Sequence, residues 1–77
     1  MSEGQHTAQD VRAIYERQRG LCAYCGGLLG PDFHVDHKTP LVRGGSNAPE
    51  NLCCACERCN KRKARLTESE FRMKLAL

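Results

Sequence analysis

Two Cys-x-x-Cys pairs, Cys22/Cys25 and Cys56/Cys59, flank an Asp36-His37 doublet, and the second pair runs straight into Asn60. Each Cys-x-x-Cys turn can aim two thiolates at one ion, and two such turns supply the tetrahedral sulfur set that zinc accepts in a closed structural site. Asp36, His37 and Asn60 are left for different chemistry.

The chain has 77 residues and six cysteines. A domain of this size buries too little apolar surface to be secure on its core alone, so a staple is expected. Three disulfides are the alternative to zinc, but the opening Met1-Ser2-Glu3-Gly4-Gln5 is polar and lacks the apolar run of a secretory signal. The ligand register needs a choice, because Cys53-x-x-Cys56 has the same spacing as Cys56-x-x-Cys59. If residues 51–54 form a strand, Cys56 and Cys59 fall in the turn and helix start after it, as a knuckle requires. Cys53 and Cys54 then stay in the ribbon, where a free cysteine packs as a small hydrophobe.

Punctuation along the chain places the elements around these residues. Thr7 and Asp10 form a capping-box pattern, Val11, Ile14 and Tyr15 lie on one helical stripe, and Gly20 suits a stop, which predicts a helix over 8–19. Turns follow at Gly26-Gly27 and Gly30-Pro31. Phe33 to His37 reads as a strand, 38–50 as a loop rich in Gly, Pro and Asn, and Asn51 to Cys54 as a second strand. Glu57 to Leu66 lacks Gly and Pro and reads as a helix. Thr67 with Glu70 caps a last helix able to bury Phe71, Leu75 and Leu77. The His6 region is expected to fray.

Net charge is +3, and Arg58, Lys61, Arg62, Lys63 and Arg65 concentrate the positive field beside the second cysteine pair. Such a run alone is usually a solvated helix face; beside a metal site, phosphate binding is the better reading. Arg43, next to Gly44-Gly45, can reach a phosphate or simply be solvated. No stretch approaches the about 20 apolar residues that span a bilayer, so a soluble, cytoplasmic protein without a membrane partner is expected.

In order and spacing, Val35-Asp36-His37-x-x-Pro40, Arg43-Gly44-Gly45-Ser46, Glu50-Asn51-Leu52 and Cys56-x-x-Cys59-Asn60-x-x-Lys63 resemble the HNH endonuclease family. The resemblance spans about Leu21 to Leu66. It implies an α+β chain with the small ββα-metal (His-Me finger) fold, stapled by zinc. That would be a single domain over 1–77, with an N-terminal helix in 1–20, the core in 21–66 and a C-terminal helix in 67–77. It also implies a metal-dependent endonuclease acting on DNA, with His37 as general base, Asp36 as ligand of a catalytic Mg²⁺, Mn²⁺ or other divalent transition metal, and Asn51 holding the loop and orienting His37. Asn60 stands where histidine is the commoner family residue and joins Asp36 at the cation. His34, on the Asp36 face of the strand, either approaches that cation or is an ordinary strand histidine. The resemblance suggests a homodimer or a larger phage or restriction assembly as setting. The competing reading is a non-catalytic, zinc-stabilised nucleic-acid-binding module.

Overall fold

A computed structural model describes residues 4–77 and has the order α1 (Ala8–Arg17), β1 (His34–His37), β2 (Leu52–Ala55), α2 (Glu57–Lys63) and α3 (Glu68–Ala76), with 3₁₀ turns at Leu41–Arg43 and Pro49–Asn51. Met1 to Glu3 of the polar opening lie outside the described residues. Both capping boxes form. Thr7 Oγ1 accepts from the Asp10 amide at 3.1 Å while Asp10 accepts from the Thr7 amide at 2.9 Å, and Thr67 and Glu70 do the same at 3.2 and 2.9 Å. The first helix ends two residues earlier than predicted, because Arg19 and Gly20 both turn left-handed with φ of 57° and 69°.

The two strands pair antiparallel, with Asp36 opposite Cys53 and His37 opposite Leu52. Each starts one residue later than the sequence pattern predicts. Phe33 instead stacks on Tyr15 with ring centroids 5.2 Å apart, and Asn51 is drawn into a 3₁₀ turn by its side-chain bonds across the loop. All four residues of β2 are buried. A buried strand leaves no water for its outer edge, so its polar groups need protein partners. Gln18 provides one: its Oε1 accepts from the Cys54 amide at 2.9 Å and its Nε2 donates to the Cys54 carbonyl at 2.9 Å. The Ala23 amide donates to that same carbonyl at 3.0 Å.

Ile14, Tyr24, Leu29, Leu52, Cys53, Cys54, Ala55 and Phe71 make the core with two further cysteines, Cys22 and Cys59. Phe71, fully buried, meets Tyr24 edge-on at 5.1 Å. Leu75 packs against this cluster, whereas Leu77, expected to help, is fully exposed beyond the end of α3. The molecule is thus α+β: a strand–strand–helix unit with one helix before it and one after it. No helix among the described residues is long and apolar enough to cross a membrane.

Candidate metal centre and reactive cleft

Cys22, Cys25, Cys56 and Cys59 bring their four sulfurs within 4.8 Å of one another. Sulfurs held tetrahedrally at about 2.3 Å from one ion are about 3.8 Å apart; the Cys25 and Cys56 sulfurs stand 3.9 Å apart. Backbone N–H groups point at the same atoms. Tyr24 and Cys56 donate to Cys22 Sγ at 3.4 Å each, Gly27 to Cys25 Sγ at 3.4 Å, and Cys59 to Cys56 Sγ at 3.5 Å. Burial opposes charge on Cys22, yet amide donors aimed at its sulfur outweigh that and bring its pKa down to about 6. Burial and the neighbouring sulfurs push the Cys59 thiol up, and four sulfurs this close together can hold one metal ion. All six cysteines are free, and Cys53 and Cys54 lie outside the cluster, buried in β2. Burial first of all pushes the Cys53 thiol up, to about 11.

Asp36 is 5% exposed and its two oxygens face different partners. Oδ2 accepts from the Tyr24 hydroxyl at 2.6 Å, pairs with Lys63 Nζ at 3.2 Å and lies 3.9 Å from Cys53 Sγ. Oδ1 meets the Asn60 amide at 3.1 Å. Neighbouring oxygens on an octahedral ion with bonds of about 2.1 Å are about 3.0 Å apart, and an amide can turn its oxygen to the place of its nitrogen, so Asp36 and Asn60 fit two ligands of a small hard cation. Burial and the bond to Asp36 hold the Tyr24 phenol well above its usual range, so it stays a donor.

His37 follows on the strand, and its Nε2 stands 2.7 Å from Asn47 Oδ1. Asn51 spends its side-chain hydrogen bonds on the loop backbone. Its Oδ1 accepts from the Thr39 amide at 3.0 Å, and its Nδ2 donates to the Thr39 and Ser46 carbonyls at 2.9 and 2.8 Å. Asn51 thus pins the loop, and the residue after Ser46, Asn47, orients the imidazole. Gly45 allows this closure, since a Cβ there would collide with the Thr39 carbonyl; Gly44 provides the left-handed φ of 89° that ends the preceding turn. Sequence reasoning passed over Asn47 as one more loop residue. His6, expected to fray, is tied in by its Nδ1, 3.0 Å from the Asn47 carbonyl. His34 is half-buried at the start of β1 opposite Ala55 and is not among the partners of Asp36.

The basic run divides. Arg58, Lys61, Arg62 and Arg65 are exposed, Lys61 being paired with Glu57 at 2.7 Å. Lys63, expected on the same phosphate-facing surface, is 1% exposed; it donates to the His37 carbonyl at 2.7 Å besides pairing with Asp36. The physical reason is helical spacing: Cys56, Cys59, Asn60 and Lys63 sit at i, i+3, i+4 and i+7, so the stripe that carries the sulfurs also turns Lys63 inward. Arg43 is engaged too, with two guanidinium bonds to Glu70 at 2.9 and 3.3 Å that pull the Glu70 carboxyl down to about 2. Asp36, His37, Leu41, Val42, Asn60 and Arg65 border a cleft of about 280 Å³.

The profile of the HNH endonuclease family matches residues 22–66. The chain is 40% identical over 50 residues to a CRISPR-associated endonuclease Cas9 of Corynebacterium diphtheriae, which covers 62% of this chain and 5% of that protein. It is 33% identical over 61 residues to GATA transcription factor 15 of Arabidopsis thaliana, covering 79% of this chain and 35% of that one. The chain therefore spans only a small part of the relatives it matches.

Proposed function

Because the chain belongs to the HNH endonuclease family, we propose that it is a metal-dependent endonuclease hydrolysing DNA phosphodiester bonds. One observation carries this reading: Asp36 and Asn60 meet at 3.1 Å beside His37 in a single open cleft. Asp36 Oδ1 and, with its amide turned, the Asn60 side-chain oxygen would hold one Mg²⁺ or Mn²⁺. When bound, such an ion stabilises negative charge on the phosphodiester and on the departing oxygen. His37 takes the proton from the attacking water. With Asn47 Oδ1 as acceptor, Nε2 carries the ring proton and Nδ1 is the basic nitrogen. Asn51 keeps the loop that brings Asn47 to the ring.

The four sulfurs hold a structural zinc, whose binding free energy adds to that of a core too small to be secure alone. Arg58, Lys61, Arg62 and Arg65 meet DNA phosphates; Arg43 joins them only by leaving Glu70. The strand–strand–helix unit and the helices flanking it act as one nuclease domain. A second reading, a zinc-stabilised module that binds nucleic acid without cutting it, draws on the similarity to the GATA transcription factor. Supercoiled plasmid incubated with the zinc-loaded protein and Mg²⁺ or Mn²⁺ separates the two. Relaxed or linear product that depends on the added ion supports the nuclease; retarded but intact plasmid supports the module.

A further inference from the structure

Tyr24 occupies an unusual place, inside the Cys22-x-x-Cys25 turn yet reaching across the core to Asp36. Both ends of the residue are engaged. Its backbone amide donates to Cys22 Sγ at 3.4 Å, and its hydroxyl donates to Asp36 Oδ2 at 2.6 Å. The ring between them is fixed by Phe71, edge-on at 5.1 Å, and by the Arg72 guanidinium, 5.1 Å from the ring centre. Lys63 Nζ takes up the same carboxylate oxygen at 3.2 Å, and no buried polar side-chain atom among the described residues lacks a partner. Oδ2 is thereby committed to the protein, and Oδ1 alone is turned to Asn60.

We propose that Tyr24 is a positioning residue that joins the two metal sites: anchored by the thiolate turn, it holds Asp36 so that the carboxylate offers a single oxygen to the catalytic cation. The inference rests on the assignment of Asp36 as that cation's ligand. Groups that hydrogen-bond a ligating carboxylate orient it, and their loss typically costs 10- to 100-fold in metal affinity or activity. A phenol serves here because it is rigid, reaches across the core, and sets its hydroxyl 2.6 Å from Asp36 Oδ2 as a donor. Order in the sulfur site then becomes a condition for order in the reactive site, through one residue.

Tyr24→Phe removes the hydroxyl and keeps the ring contacts. Mn²⁺ affinity of the zinc-loaded protein, measured by calorimetry without DNA, is expected to fall about 10- to 100-fold in this variant, with zinc content unchanged and nicking largely restored at saturating Mn²⁺. Affinity within about twofold of wild type overturns the proposal. Asp36→Ala is the control that separates the levels: if it too binds Mn²⁺ normally, the ligand assignment fails rather than the clamp. A second measurement needs no variant of uncertain folding. In protein labelled with 3-fluorotyrosine, the ¹⁹F resonance of Tyr24 should shift as Mg²⁺ is titrated, with the same midpoint as cation binding, while that of Tyr15 stays fixed. A Tyr24 resonance indifferent to Mg²⁺ overturns the coupling.

Discussion

Asp36 shows how much of a residue's role depends on which of its oxygens is free. With Oδ2 held by Tyr24 and Lys63 and Oδ1 turned to Asn60, the two oxygens of the carboxylate have distinct partners within the protein. Lys63 is the cation that makes this possible, and removing it would leave Asp36 buried without its counter-charge. Loss of one partner from a buried pair costs about 3–5 kcal/mol. Lys63→Met should therefore destabilise the folded protein by several kcal/mol in thermal or denaturant unfolding, whereas Arg62→Met, on the exposed face, should be near neutral. Equal, small effects would mean that Lys63 is not held inside. At the proposed cation site, Asn60→His would replace a hard oxygen donor by imidazole. It should keep activity while shifting the preferred ion from Mg²⁺ toward Ni²⁺ or Co²⁺, read as relative nicking rates across a metal series. At this scale the four-sulfur cluster was legible from residue type and spacing. Tyr24 and Asn47 were not, since a phenol in a turn and an amide in a loop declare nothing until the fold brings them to Asp36 and His37.

At the scale of the element, α2 carries most of the tension between charge and burial. One stripe of it reaches β1 through Asn60 and Lys63 and the sulfur cluster through Cys59, and the opposite surface presents Arg58, Lys61 and Arg62. Neutralising Arg62 and Arg65 together should weaken DNA binding alike for all sequences and reduce the slope of log K against log salt by about one for each phosphate no longer neutralised. An unchanged slope would make that surface an ordinary solvated face. The helix also stops early, at Lys63, because Ala64 adopts φ 47° and ψ −118°, a conformation costly for any residue with a Cβ. Ala64→Gly relieves that cost and should raise stability by about 1 kcal/mol, measured by denaturant midpoint; a loss of stability would show that the turn is not strained. The absence of Gly and Pro between 57 and 66 suggested a longer helix, and propensity alone could not reveal that the chain must turn here to let α3 start at Glu68, whose amide donates to the Lys38 carbonyl at 2.8 Å. The starts of α1 and α3 were readable because capping boxes are local chemistry; the end of α2 carried no such signal.

For the whole molecule, the core is a thin layer in which the cysteines count as much as the aliphatics: two of its ten residues, Cys22 and Cys59, are also members of the sulfur cluster. If the sulfur cluster holds zinc as proposed, stripping the ion with a strong chelator at neutral pH should unfold the chain cooperatively, and returning about one equivalent of Zn²⁺ should refold it, followed by circular dichroism. Cys22→Ser should behave like the stripped protein, and Cys53→Ala like wild type in zinc content. A stripped protein that melts at the wild-type temperature would show that the core suffices. The α+β architecture was legible because two strand-like segments and three helical ones were separated by strong turn signals. What the pattern could not convey was the closure of the 38–50 loop, where Asn51 and Gly45 work through the Thr39 backbone.

The central claim is that His37 activates water in a cleft whose cation is held by Asp36 and Asn60. Its most direct measurement compares the plasmid-nicking rate and the Mn²⁺ affinity of His37→Ala with those of wild type, both zinc-loaded. Loss of a general base typically lowers a rate by about 10² to 10⁴. His37→Ala should therefore be folded, bind Mn²⁺ as wild type does, and nick at least about 100-fold more slowly. A His37→Ala protein that nicks within a few-fold of wild type would contradict the account.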